Sequence, residues 1–356
     1  MPLAFDRRLV NLLELEHPII LAPMAGVVTP ALAAAVSNAG GLGSMGLATS
    51  TVDAARQMIN AYRAQSNRPF NVNLFCHKPA VANPAVESAW LARLRPEFER
   101  FGAEPPSQIT EIYKTFLDND EMLAMLLEEK PKVVSLHFGI PSADKIRALK
   151  AAGITLFATA TNLREAQAVA AAGVDAVVAQ GYEAGGHRGV FDPEAPDQQL
   201  GTMALTRLLV RHLDIPVIAA GGIMDGAGIA AVLRLGAAAA QLGTAFIACP
   251  ESQADDGYRA ALRSEAAQHT VLTSAISGRP ARSLSNRFTA LGATVSPKDI
   301  PAYPIAYDAG KALIAAAKAA GETGYGAHWA GQGAPLSRAM PAKELMQELV
   351  TELEAA

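Results

Sequence analysis

The sequence predicts an α/β protein, a (β/α)8 TIM barrel with a smaller, mainly helical lobe formed by an insertion and a C-terminal extension. Eight short runs rich in Val, Ile, Leu and Ala recur, and each is followed by a segment of helical periodicity. The runs are apolar on both faces, which favours a barrel of eight covered strands over an open doubly wound sheet. The length of 356 residues suits a barrel of about 250 residues with about 100 more.

The eight predicted strands are evenly spaced except at two places. Five of the seven intervals between their starts measure 20 to 28 residues, the length of one strand plus one helix, and the other two measure 63 and 42 residues. Between strands, Pro30 to Asn38 and Leu163 to Ala172 are predicted helices that end at a glycine. The strands begin near Pro18 (PIILAPMAG), Gly41 (GLGSMG), Pro69 (PFNVNLFC), Lys132 (KVVSLHFG), Ile154 (ITLFATA), Val174 (VDAVVAQG), Pro216 (PVIAAGG) and Ala237 (AAAAQLGTAF).

The long third interval and the C-terminal part of the chain predict the second lobe. Residues 77–131 contain six prolines around amphipathic pieces, and residues 251–356 follow the eighth strand. We therefore assign residues 1–76 and 132–250 to the barrel, and residues 77–131 and 251–356 to a lobe that covers its mouth.

Composition excludes several classes of protein. The net charge is −4 and no stretch concentrates Lys and Arg, so we expect no nucleic-acid partner. Cys76 and Cys249 are the two cysteines, which indicates reduced thiols in the cytoplasm and not a disulfide framework. Charged residues at positions 6–8 precede any apolar run, so we expect no signal peptide. The most apolar window, residues 235–250, is too short for a membrane helix.

Two glycine-containing loops are candidates for phosphate binding. Gly221 and Gly222 follow the seventh strand, with Asp225 placed to cap the next helix, and Gly243 and Thr244 follow the eighth. Barrels of this class often bind phosphate in these two loops, where glycines let backbone N–H groups approach the phosphate oxygens. The alternative is that the glycines only permit tight turns.

The loop after the sixth strand is the strongest local signal. In residues 180–189 (QGYEAGGHRG), four glycines surround one histidine and one arginine, and the loop lies at the predicted barrel mouth. An imidazole there can serve as a base or as a hydrogen-bond donor, so His187 is the candidate catalytic residue. The Arg188 side chain has two alternative roles: it attracts an anion, or it forms a surface ion pair.

Other motifs are weaker. Three polar residues close predicted strands: Asn73, His137 and Gln180. The amides of Asn73 and Gln180 could recognise the edge of a heterocycle, and His137 could equally be a core residue with its hydrogen bonds satisfied. The run from Gly41 to Gly46 matches the dinucleotide pattern GxGxxG but follows a helix and belongs to a strand, which is the wrong context. Cys76 precedes a histidine directly, so their side chains diverge on a strand; no metal site is predicted anywhere.

Taken together, these segments resemble the nitronate monooxygenases, FMN enzymes on a (β/α)8 barrel. The resemblance spans residues 18–250 and rests on PIILAPMAG, FNVNLFCHKP, VSLHFGIP, AQGYEAGGHRGVF, IPVIAAGGI and QLGTAF. It implies that His187 is the active-site base and that Tyr113, Tyr307 and Lys311 line the substrate pocket. It also implies FMN contacts at Ala22, Pro23, Met24, Asn73, Gln180, Gly185, Gly222, Gln241, Leu242, Gly243 and Thr244.

The implied reaction is oxidation of alkyl nitronates by O2 to a carbonyl compound and nitrite, in a monomer or homodimer. The alternative is an FMN-dependent NAD(P)H reductase of enoyl thioesters or quinones, because such reductases share the APMAG, EAGGH and AAGGI segments. The segments FNVNLFCHKP and GGHRGVF favour the monooxygenase. A third reading is a flavin-free barrel that binds a phosphorylated metabolite.

Overall fold

The computed structural model describes residues 5–356, in which eleven strands and fourteen α-helices are present. The strands are β1 (Ile19–Leu21), β2 (Gly43–Gly46), β3 (Phe70–Phe75), β4 (Val133–His137), β5 (Thr155–Ala160), β6 (Ala176–Gln180), β7 (Gly186–His187), β8 (Val217–Ala220), β9 (Ala239–Leu242), β10 (Thr270–Thr273) and β11 (Ala281–Leu284). The helices are α1 (Arg8–Leu13), α2 (Pro30–Asn38), α3 (Val52–Arg63), α4 (Pro84–Glu99), α5 (Asp120–Glu129), α6 (Ala143–Ala151), α7 (Leu163–Ala171), α8 (Thr202–His212), α9 (Gly226–Arg234), α10 (Thr244–Ile247), α11 (Asp256–Leu262), α12 (Arg287–Gly292), α13 (Ile305–Ala319) and α14 (Ala342–Ala355).

Eight parallel strands form the predicted barrel. Their order is β1-β9-β8-β6-β5-β4-β3-β2, and every neighbouring pair is parallel. The two ends of this order meet next to β2, where Leu42 donates its N–H to Ile19 O and accepts from Leu21 N, each at 2.9 Å. All eight predicted strands are confirmed, and the TIM-barrel fold class is confirmed with them.

Six of the eight barrel strands, all except β2 and β3, send alternate residues into two different apolar cores. Leu156 and Ala158 of β5 belong to the outer core between strands and helices, whereas Phe157 between them belongs to an inner core. Helix α1 contributes its buried residues, including Leu9 and Leu13, to that inner core. The barrel interior is therefore packed with side chains, which are apolar except where Asn71 of β3 donates to the buried Ser44 hydroxyl of β2 at 3.1 Å.

Helix boundaries follow local capping chemistry. The Thr29 side chain accepts from Leu32 N and starts α2, and the Asp225 side chain accepts from Gly228 N at 2.8 Å and starts α9. Helix α2 then precedes β2, so the glycine run at 41–46 lies after a helix and in a strand. The prediction that this run is not a dinucleotide-binding loop agrees with that order of elements.

The rest of the chain forms a small sheet and further helices. Strand β7, in the loop after β6, pairs antiparallel with β11, which pairs with β10. Helices α4 and α13 pack together in a separate apolar cluster that includes Trp90, Phe288 and Leu313. The division of the chain into a barrel and a lobe remains a prediction, but α5 contacts α3 and α6, and α14 contacts α2 and α9. Their packing favours moving both helices from the predicted lobe to the barrel.

Candidate active site

A cavity lies at the carboxyl ends of the barrel strands, where the fold class predicts the site. Of the fifteen site residues predicted from the sequence, Leu242 alone is outside its lining, since its side chain is buried in the outer core. The fourteen that line the cavity are Ala22, Pro23, Met24, Asn73, Tyr113, Gln180, Gly185, His187, Gly222, Gln241, Gly243, Thr244, Tyr307 and Lys311.

His187 is held at the cavity by the small sheet above the barrel. In β7 it is paired with Ala281 of β11, and its Nε2 lies 2.9 Å from the hydroxyl of Ser277. Burial, together with the neighbouring His137 and Arg279, lowers the pKa of His187 to about 3. The imidazole is therefore neutral at pH 7. The pKa of an exposed histidine, about 6.5, therefore does not apply at this position.

Two strand-end side chains hold the backbone of His187. His137 Nε2 lies 3.2 Å from His187 O, while its Nδ1 lies 3.0 Å from the hydroxyl of Thr159. Gln180 donates to the same His187 carbonyl at 3.0 Å and accepts from Gly189 N at 2.7 Å. The amide of Gln180 thus fixes the loop, although its residue also lines the cavity. His137 is both a satisfied core imidazole and a cavity residue.

Arg188 forms an ion pair, as one of the two alternatives predicts. The pair is buried, however, and does not lie on the surface. Its guanidinium donates to both carboxylate oxygens of Asp197 at 2.7 and 3.0 Å, and to Gln180 O at 2.5 Å. Arg188 is 3% exposed. Because its charge is compensated and its side chain is absent from the cavity lining, Arg188 braces the loop and offers no free charge to a ligand.

The two glycine loops present backbone donors. Within the described chain, the N–H groups of Gly222, Ile223 and Gly243 donate to no backbone or side-chain acceptor, and all three residues line the cavity. Gly222 has φ +70°, a conformation that strains any residue with a Cβ. The Thr244 hydroxyl accepts from Gly331 N at 3.0 Å and keeps its own proton for another acceptor. This donor set suits a phosphate group.

Aromatic side chains and one lysine form a second part of the cavity lining, the aromatic wall. The ring of Tyr307 packs edge-on against Tyr113, and the Lys311 ammonium lies over both rings. Tyr303 and Trp329 also line the cavity and were not predicted from the sequence. Tyr303 precedes α13 and therefore does not share its helical periodicity, and no sequence signal singles out Trp329.

The cavity carries a positive balance. Among residues 5–356 its lining includes the cation Lys311 and contains no Asp or Glu side chain. Burial lowers the pKa of Lys311, and the nearby carboxylate of Asp308 opposes that shift. A cavity with a cation, free N–H donors and no carboxylate is suited to anions.

The remaining candidates belong to the interior. Cys76 and Cys249 are free and buried, and burial raises the pKa of both thiols, so neither is an activated nucleophile. His77 does not line the cavity and packs edge-on against Tyr303, with the ring centres 5.0 Å apart. Burial lowers its pKa to about 4.

Comparison with known proteins assigns the family. The family model described as nitronate monooxygenase matches residues 6–352. The chain belongs to the nitronate monooxygenase family. Members of this family at high identity include a nitronate monooxygenase of Paraburkholderia phytofirmans, 63% identical over 98% of this chain and 95% of that protein. A second, from Pseudomonas aeruginosa, is 55% identical over 97% of this chain and 99% of that protein. The chain is therefore an oxidoreductase.

Solved structures extend the likeness to the fold. The nitroalkane oxidase from Streptomyces ansochromogenes has a TM-score of 0.88 at 40% identity, over 97% of each chain. FabK from Thermotoga maritima has a TM-score of 0.73 at 31% identity, over 99% of this chain and 97% of that one. Because the 63% and 55% identical relatives are nitronate monooxygenases, the comparisons support the monooxygenase and lend nothing to the reductase alternative. No helix within residues 5–356 is long and apolar enough to cross a bilayer.

Proposed function

We propose that this chain binds FMN in the barrel-mouth cavity and oxidises alkyl nitronates with O2 to a carbonyl compound and nitrite. The observation that carries the proposal is the charge of the cavity, which holds Lys311 and, within the described chain, no carboxylate. Both the FMN phosphate and a nitronate are anions, so one positively balanced cavity suits the cofactor and the substrate together.

The donor set fits FMN at two places. The free N–H groups of Gly222, Ile223 and Gly243 would bind the phosphate, with the Thr244 hydroxyl as a further donor. Asn73 and Gln241 stand on strand ends in the same cavity and can hydrogen-bond the edge of the isoalloxazine ring. The Asn73 amide already donates to Ser135 O at 3.1 Å and to its hydroxyl at 3.0 Å, which fixes its orientation.

The side chains of the aromatic wall would bind and orient the substrate. A nitronate is already a resonance-stabilised anion, and Lys311 attracts it while the rings of Tyr113 and Tyr307 exclude water. FMN, when bound, supplies the electron-transfer chemistry. His187, neutral at pH 7, contributes a ring nitrogen at the cavity that can take the proton of a neutral nitroalkane.

Anaerobic mixing of the purified yellow protein tests the proposal. A nitronate should bleach the flavin absorbance in the absence of oxygen, whereas NADH or NADPH should leave it unchanged. Bleaching by the reduced nicotinamide alone would favour the reductase alternative. A colourless protein that stays colourless after incubation with FMN would exclude both flavoenzyme functions and favour a barrel that binds a phosphorylated metabolite.

We further propose that the enzyme works in the cytoplasm as a monomer or homodimer on small-molecule substrates. Two free, buried thiols support a reducing compartment. The net charge of −4 without a basic cluster supports the expectation of no nucleic-acid partner.

A further inference from the structure

We propose that Ser277 is a positioning residue that holds His187 in the tautomer with its proton on Nε2, so that Nδ1 presents a lone pair to the cavity. The inference rests on the proposed function only for what this lone pair does. The tautomer itself is a property of the protein and can be measured separately.

The hydrogen bonds of Ser277 determine the tautomer. Its hydroxyl oxygen lies 2.9 Å from His187 Nε2 and 3.2 Å from Arg279 O, and the Arg279 N–H lies 3.4 Å from the same oxygen. A serine hydroxyl has one proton to donate and two lone pairs with which to accept. Ser277 must therefore donate either to the histidine ring or to the Arg279 carbonyl.

The Arg279 carbonyl shows which of these two acceptors receives the hydroxyl proton. Within the described chain, Ser277 is the donor to Arg279 O, and both residues are buried. If the hydroxyl proton went to His187 instead, this buried carbonyl would lose its partner, which costs free energy. When Ser277 donates to Arg279 O, its oxygen accepts from His187 Nε2–H, and all three groups are satisfied.

The second ring nitrogen faces open space. His187 Nδ1 has no hydrogen-bond partner in the described chain, yet it is not one of the buried polar atoms that lack one, and His187 lines the cavity. With the proton on Nε2, Nδ1 can accept a hydrogen bond and cannot donate one. Neutral His187 therefore acts on a substrate proton and does not donate to a nitro oxygen.

The step that follows is a proton transfer. The C–H bond beside the nitro group of a neutral nitroalkane breaks, the proton forms an N–H bond with Nδ1, and the electron pair stays on the substrate as the nitronate. The imidazolium keeps its Nε2–H bond to Ser277. The nitronate charge formed beside it favours the protonated ring and offsets the burial that disfavours it.

Nitrogen NMR of the holoprotein labelled with ¹⁵N-histidine reads the tautomer directly, with the His187→Asn variant identifying the signals. We expect a protonated Nε2 and an unprotonated Nδ1 at pH 7 in the wild type and in Ser277→Thr, and a mixture of tautomers in Ser277→Ala. The control is Ser283→Ala, which removes another buried serine hydroxyl that bonds only backbone carbonyls. A wild-type signal with the proton on Nδ1, or an unchanged tautomer in Ser277→Ala, overturns the proposal.

Steady-state kinetics distinguishes a selective loss of proton abstraction from a general loss of structure. Ser277→Ala should lower kcat/KM for a neutral nitroalkane at least about tenfold more than for the matching nitronate, because the nitronate needs no base. Ser277→Thr should restore the ratio, and Ser283→Ala should not change it. Equal losses for both substrates count against the positioning role. If the wild type oxidises no nitronate, the proposed function fails, but the NMR spectrum still shows which tautomer is present. If Ser277→Ala does not fold, the wild-type spectrum alone still tests the proposed tautomer.

Discussion

The Lys311 ammonium lies 4.8 Å from the centre of the Tyr113 ring. Tyr113 belongs to the segment between β3 and β4, whereas Lys311 stands on α13, almost 200 residues later in the chain. The contact therefore joins two segments distant in sequence at the cavity, which both residues line. A lysine stacked on an aromatic ring can keep its charge while its stem is packed, so the Lys311 ammonium is held at the cavity.

Removing this charge should weaken substrate binding more than turnover. We expect Lys311→Met to raise KM for a nitronate at least about fivefold, because the Coulomb attraction between unit charges 4 Å apart is about 1 kcal/mol even in water. The change in kcat should be smaller. Steady-state kinetics at two ionic strengths measures both effects. The control is Lys318→Met on the same helix, an exposed lysine paired with Asp255, and an unchanged KM in Lys311→Met would contradict the assignment.

Replacing the candidate base should spare the cofactor. We expect His187→Asn to retain its flavin, because the predicted phosphate donors lie on other loops, and to lose turnover with a neutral nitroalkane by about 100-fold or more. Turnover with the nitronate should fall less. Flavin absorbance and oxygen consumption give the two readouts. His212→Asn, at an exposed position, is the matched control, and normal kinetics of His187→Asn with both substrates would exclude a catalytic role.

A methyl group at Gly222 should loosen FMN specifically. Gly222→Ala and Gly173→Ala both place a side chain at positive φ, +70° and +83°, so each should cost about 1 kcal/mol of folding stability. Only Gly222 lies in the cavity, where its new Cβ would stand 3.2 Å from Glu183 Cβ and displace the loop. Fluorescence titration should give an FMN Kd at least about tenfold higher for Gly222→Ala alone. Equal Kd values in the two variants would remove this loop from the phosphate site.

Acid should destabilise the fold through its buried histidines. Burial lowers the pKa values of His77 and His137 to about 4 and that of His187 to about 3. The unfolded chain binds these protons below about pH 6.5, so stability is full above that pH and falls as the pH drops towards 4. At pH 5 each histidine costs up to about 2 kcal/mol. Urea unfolding at pH 8 and pH 5 measures the loss.

The variant His77→Phe assigns part of this pH dependence. Phenylalanine fits among the neighbouring rings of Phe138 and Tyr303 and does not titrate. The difference in unfolding free energy between pH 8 and pH 5 should therefore shrink by about 2 kcal/mol. His212→Gln should leave the difference unchanged, since that histidine is exposed. If the difference in unfolding free energy is as large in His77→Phe as in the wild type, the acid sensitivity comes from other residues.

The barrel could be predicted because the residues that specify each strand or helix lie within that element or directly beside it. Apolar runs such as the one that forms β6 have burial on both faces, and a capping residue such as Asp225 lies beside the helix it starts. The cavity loops followed from the strand order of the fold class, since the carboxyl ends of all eight strands meet at one rim.

The surroundings of His187 could not be predicted, because they depend on contacts between distant segments. Ser277 is 90 residues away and meets His187 only after β11 pairs with β7. The burial of Arg188 depends on Asp197 in an irregular loop, for which no periodicity exists. Leu242 was placed at the cavity by resemblance, whereas strand alternation turns Gln241 inwards and Leu242 into the outer core.

The pairing of β7 with β11 has a consequence for how the enzyme is made. On the ribosome, the eight barrel strands emerge before Ser277, β11 and Lys311 have been synthesised. A nascent chain can thus pair its eight barrel strands while Ser277, which contacts the histidine, and α14, which packs on α2 and α9, are still missing. His187 is therefore expected to reach its final position only when the C-terminal segments have folded onto β7, so that the last steps of folding assemble the cavity.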